Sequence, residues 1–230
     1  VESAVAFLAP HLGHADRAIR YAARVALERF PVDRWQKQVT SRSEANGAIT
    51  GVIGLARQAD PPLRPALTAT LEKLDFKKLD EMQKLSLLRA YQLVFTRLGL
   101  PDEATQASLA ARFDAQFPSP SELVNRELAI LMVALNDPHA AHKIVPLLAK
   151  DRVVRPSDLG DVLSRNRGYG GTLAAMIANQ PDREQMALAL TLRNLKKGWT
   201  LDDKKSYFKW FEKARGWNGG HSYQKFLTNI

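Results

Sequence analysis

Nearly every segment of this chain repeats its apolar residues at intervals of three and four, and a chain so patterned buries them by packing helix on helix. Leu85, Leu88, Gln92 and Phe95 mark one stripe, with Leu87, Tyr91, Val94 and Leu98 beside it. Together they make a face wide enough to touch two neighbours at once. Leu128, Leu131, Met132 and Leu135 repeat the pattern, and Ile144, Leu147 and Leu148 follow. Met186, Leu188, Leu190 and Leu192 alternate with period two. The Pro181 before them and the Lys-Lys-Gly after them favour a helix, and no second strand stands ready to pair.

Breakers divide the pattern into short pieces. Gly99-Leu100-Pro101 ends one helix and opens the next, Asn136-Asp137-Pro138 does the same, and Ser121 follows the Phe117–Ser121 breaker in a capping position. The spacing predicts helices at roughly 3–9, 15–30, 32–41, 43–59, 62–74, 80–99, 102–116, 121–135, 138–150, 156–165, 170–179 and 182–196. A pair at roughly 201–215 and 220–229 closes the chain, and residues 200–230 read as a terminal capping hairpin. The expected class is all-α, as one domain over residues 1–230. The Val1 start and Ile230 end suggest a piece of a larger protein.

The segment from Asp16 to Leu27 is the most specific. Small residues at Ala22, Ala23 and Ala26 admit a close neighbour, and Ile19, Ala23, Ala26 and Leu27 are read as the inner face. Asp16 stands where a carboxylate caps free amides, with Arg20 one turn on. This segment resembles the HEAT-repeat signature, which implies an α-solenoid of helical hairpins with a period of about 40 residues. In such an array each hairpin covers the apolar sides of the next, and that accounts for short helices with wide apolar faces.

Absent cysteine excludes disulfides, thiolate nucleophiles, Cys-ligated zinc and haem attachment within these residues. No run approaches eighteen uncharged apolar residues, so no membrane-spanning helix is expected. The net charge of +9 draws acidic partners or polyanions. It is concentrated at the end. Arg193, Lys196, Lys197, Lys204, Lys205, Lys209, Lys213, Arg215 and Lys225 there face only Asp202, Asp203 and Glu212. Trp199, Tyr207, Phe208, Trp210, Phe211, Trp217, Tyr223 and Phe226 are interleaved with them. Cations among aromatics suit nucleic acid, yet most of these rings fall at helical spacing and read as core with solvated lysines between them.

Other constellations have plainer readings. His11 with His14, and His139 with His142, stand at a spacing that can hold zinc, but no carboxylate accompanies them at a metalloprotease interval. Arg167–Gly171 lacks the Lys-Ser/Thr of a phosphate loop. His221 and Ser222 are adjacent, so their side chains diverge on a helix, and no nucleophile elbow is present. No residue is assigned a catalytic, cofactor-binding or metal-ligating role.

Several stretches together resemble one family: Arg17–Glu28 with Trp35, Leu88–Leu93 with Arg97–Pro101, Asn125–Leu128, Leu147-Leu148, Leu192–Thr200, Tyr207-Phe208 with Trp210, and Gly219–Tyr223 with Phe226-Leu227 and Asn229-Ile230. This is the HEAT-repeat segment of large planctomycete-type multidomain proteins labelled membrane-bound dehydrogenases. There it separates a propeller-like domain from a c-type cytochrome domain. The resemblance implies a non-catalytic scaffold that spaces or docks neighbouring domains, without a cofactor of its own, in an exported (periplasmic or secreted) redox protein. It also makes Arg193, Trp199 and the Gly219-Gly220 turn architectural, alongside Asp16 and Arg20. The basic residues Lys196, Lys197, Lys204, Lys205 and Lys209 are the expected partner contacts. A competing expectation is a nucleic-acid-binding protein similar to the HEAT-like alkylpurine DNA glycosylases.

Overall fold

The computed structural model describes residues 2–150, 180–218 and 220–230. Among them every regular element is helical. In chain order they are α1 (Glu2–Leu8), α2 (Arg17–Leu27), α3 (Gln36–Thr40), α4 (Ala45–Ala56), α5 (Arg64–Glu72), α6 (Glu81–Leu98), α7 (Glu103–Asp114), α8 (Glu122–Ala134), α9 (Ala140–Leu148), α10 (Arg183–Leu192), α11 (Leu201–Arg215) and α12 (Gly220–Asn229). Short 3-10 turns precede α3 and α5 and join α1 to the α2 segment. The helices expected at 156–165 and 170–179 lie outside the described residues. The chain divides into two compact units, Val1–Leu131 and Met132–Ile230.

In the first unit the even-numbered helices pack in succession, α2 on α4 and α4 on α6, while α3 and α5 pack on α4 and on each other. The sequence explains the starts. Asp16 accepts from the Ala18 amide at 2.7 Å. Asp80 and Gln83 form a reciprocal capping box on α6, and the Ser121 hydroxyl accepts from the Val124 amide. Both stripes of α6 are buried apart from the half-buried Gln92, with Leu88, Tyr91 and Val94 fully covered. Each such side chain contributes roughly 1.5–3 kcal/mol by leaving water. The inner face expected of α2 holds only in part. Ala23 and Leu27 are buried, but Ile19 is 40% exposed because it stands one turn earlier, at the open start of the helix.

Side chains that bridge distant parts of this unit do so at a regular interval. Arg42 donates to the Ala9 carbonyl, Gln58 to that of Glu28, Arg64 to that of Leu98 and Lys73 to that of Thr40. Arg112 donates to the Glu72 and Leu74 carbonyls. Glu127, itself 8% exposed, accepts from Arg89 Nε and Gln92 Nε2, each at 2.8 Å. The partners in these bonds are separated by 30 to 40 residues.

In the second unit α9 packs on α10 and α11, and α11 on α12. The period-two run from Met186 to Leu192 is helical in α10, with Leu188, Ala189 and Leu192 buried.

Candidate interaction surface

The basic, aromatic end of the chain is built on α11. Thr200 caps it reciprocally with Asp203, whose carboxylate lies 2.6 Å from the threonine hydroxyl. From that start the helical repeat carries Asp203, Tyr207, Trp210 and Ala214 inward. The buried rings are pinned by their polar atoms. Tyr207 donates to the Ala189 carbonyl at 3.0 Å, Trp210 Nε1 to Gln185 Oε1 at 3.0 Å, and Tyr223 of α12 to the Ala214 carbonyl at 2.6 Å. Burial pushes the Tyr207 phenol up to about 12, with the Arg193 charge pulling against the shift, and burial alone pushes Tyr223 up to about 12.

The opposite side of α11 faces solvent. Lys204, Lys205 and Lys209 are exposed there, as are Leu201 at 68% and Phe208 at 65%. Lys205 forms a 3.6 Å ion pair with Asp202. Lys196 and Lys197 are exposed in the turn between α10 and α11. Phe208 departs from the reading of these rings as core: the repeat that buries Tyr207 turns its neighbour outward. Beside this face, α10, α11 and α12 enclose an open cleft of about 930 Å³. Trp199, Phe208 and Phe211 line it, with Arg193, Lys204, Arg215 and Glu212 among the charged residues. Lys204, Phe208, Phe211, Glu212 and Arg215 all come from α11, and Arg193 and Trp199 join them only when the end of α10 folds back beside it.

The residues expected to be architectural make specific contacts. Arg20 Nη1 donates to the His14 and Ala15 carbonyls at 2.6 and 2.7 Å. Arg193 donates to the Asn229 carbonyl, across α10 and α12. Trp199 Nε1 donates to the Leu195 carbonyl at 3.0 Å, and its ring lies 5.3 Å from that of Tyr207. Gly220 opens α12 with φ of 70°, while Gly219 lies outside the described residues. The decisive glycine is another. Gly198 has φ of 80°, and a Cβ on it would lie 2.5 Å from the Pro138 carbonyl oxygen. Sequence reasoning used it only as a helix stop.

The histidine pairs diverge in role. His14 Nδ1 accepts from the Asp16 amide at 2.9 Å, and His11 meets Phe7 edge-on. His142 faces the Asp203 carboxylate at 3.7 Å, whereas His139 precedes α9. His221 and Ser222 are both exposed on α12. Arg167–Gly171 lies outside the described residues. No described helix is long and apolar enough to cross a membrane. Comparison with protein-family models, curated proteins and solved structures gives no match in any of the three.

Proposed function

We propose that the chain is a non-catalytic interaction module, an α-solenoid of HEAT-like hairpins that spaces or docks neighbouring protein domains. One observation carries the reading: the long-range side-chain hydrogen bonds of the first unit join residues 30 to 40 apart, the interval at which stacked helical hairpins meet. A curved row of helices then presents a broad surface. The exposed Lys196, Lys197, Lys204, Lys205 and Lys209 supply its contacts with an acidic partner. The family resemblance extends the proposal to an exported redox protein whose cofactor is carried by other domains.

A second reading, nucleic-acid binding of the alkylpurine glycosylase type, draws on the cleft where Glu212 stands among aromatic and basic side chains. Titrating the chain with duplex DNA and with poly-glutamate at rising salt separates the two. The scaffold reading expects poly-glutamate binding that is lost in a Lys204→Glu/Lys205→Glu/Lys209→Glu variant, with only weak DNA binding. Micromolar or tighter duplex binding that falls steeply with salt overturns it.

A further inference from the structure

The first unit carries a second basic surface, unrelated to the C-terminal lysines. Arg17, Arg20, Tyr21 and Arg24 line one side of a groove of about 410 Å³ along α2, α4 and α6. Their spacing of three and four residues places roughly one guanidinium per 5.4 Å turn along α2. Arg89 of α6 also lines the groove, and Ile49, Thr50 and Ile53 of α4 contribute to it. Asp80 is its one lining carboxylate among the described residues, and it is engaged with the Gln83 amide at 2.8 Å as the α6 cap.

Three of these four arginines are held in place before any partner arrives. Arg20 is tied to two backbone carbonyls, Arg24 to Glu28 at 2.6 Å, and Arg89 to Glu127 at 2.8 Å. Each contact takes a single nitrogen of a five-donor guanidinium, so donors remain. Glu28 and Glu127 offset the charges of Arg24 and Arg89. Among the described residues no carboxylate pairs with Arg17 or Arg20, and the excess positive charge of the groove therefore sits on α2.

We propose that this groove binds an extended acidic peptide segment, with Arg17 and Arg20 receiving two of its carboxylates. In an extended chain alternate residues share a side and lie about 6.6–6.8 Å apart; the arginine positions rise about 4.5 Å from Arg17 to Arg20 and about 6.0 Å from Arg20 to Arg24, and the long arginine side chains span the difference. Planar guanidinium groups match carboxylates with two parallel hydrogen bonds. The intervening residue points the other way, where the 62% exposed Met82 offers an adaptable apolar contact. A single-stranded nucleic acid fits less well. Tyr21 is the one ring among the described lining residues, and the Arg24 guanidinium already lies 5.2 Å from its centroid. Successive bases would find no stacking platforms.

The test is fluorescence anisotropy of a short labelled peptide containing Glu-Leu-Glu, with a Gln-Leu-Gln peptide and a labelled single-stranded oligonucleotide as comparisons. Arg17→Gln/Arg20→Gln is expected to weaken Glu-Leu-Glu binding by about a hundredfold or more, the loss of two charge-assisted contacts at about tenfold or more each. Arg17→Gln alone should give a smaller loss in the same direction, and it spares the carbonyl contacts of Arg20 should the double variant fold poorly. The Gln-Leu-Gln peptide should bind the unaltered chain at least about tenfold more weakly. Glu-Leu-Glu affinity unchanged by Arg17→Gln, or tighter binding of the oligonucleotide in an arginine-dependent way, would overturn the proposal. Lys204→Glu/Lys205→Glu/Lys209→Glu should leave this binding intact, so failure here and failure of the scaffold reading are told apart.

Discussion

Replacing Gly198 by alanine should destabilise the second unit far more than the same change at Gly220. Gly198 forms the turn from α10 to α11 in the left-handed region, with φ of 80°, where a side chain costs roughly 1–2 kcal/mol. The added Cβ would also stand 2.5 Å from the Pro138 oxygen and 3.0 Å from its carbonyl carbon and Cα. These are backbone atoms that cannot swing aside, and relieving such overpacking costs about 1–3 kcal/mol more. The sum is about 2–5 kcal/mol. Gly220, with φ of 70° and nothing among the described residues within 4 Å of its Cβ position, meets only the first cost, about 1–2 kcal/mol. Urea unfolding followed by tryptophan emission reads the difference, since Trp199, Trp210 and Trp217 all lie in this unit. If the two variants lose equal stability, the close approach of Gly198 to Pro138 is wrong, and with it the account of how the turn before α11 seats beside α9.

A pair of tyrosines gives a second contrast. Tyr91 is fully buried with no hydrogen-bond partner for its hydroxyl among the described residues, so Tyr91→Phe should be neutral or stabilising, while Tyr207→Phe should cost about 1 kcal/mol by removing its bond to Ala189. Equal losses in thermal unfolding would contradict this. Alkaline pH should act on the second unit through Tyr207 and Tyr223. Both ionise in the unfolded chain at about 10.0 but only at about 12 when folded, so their stabilisation is complete below pH 10.0 and drains away as the pH rises toward 12. A urea midpoint that stays level over that window, with tyrosinate absorbance as the internal monitor, would refute it. Asp80→Ala should lower the stability of the first unit by about 1 kcal/mol through loss of the α6 capping box, measured by the same unfolding curve.

Much of the helical plan was legible because it is local. The stripes of α6, the Asp16 and Ser121 caps and the Pro181 start each involve residues within one or two turns, and the observed α11 and α12 keep the bounds expected from spacing. Ile19 shows where that logic stops. Its periodicity matches Ala23 and Leu27, but burial depends on how far the neighbouring helices reach along α2. Phe208 is the same lesson on α11, a large ring left outside because its neighbour Tyr207 takes the inward position.

The sites were much less legible. Glu127 draws its partners from Arg89 and Gln92, 38 and 35 residues away, and nothing in the local pattern around it announces the meeting. The arginines of α2 stand at helical spacing, but the sequence pattern marked Arg20 only as architectural, and Arg89 and the α4 residues of the groove come from separate helices.

Helix identity, helix ends and the gathering of positive charge near the C-terminus follow from the order of residues alone, since each depends on periodicity, capping chemistry or simple composition. Which charges share a groove, which glycine touches a distant carbonyl and which rings stay wet were decided by packing. Those outcomes depend on distances between separate helices and turns, and such distances exist only once the helices have docked.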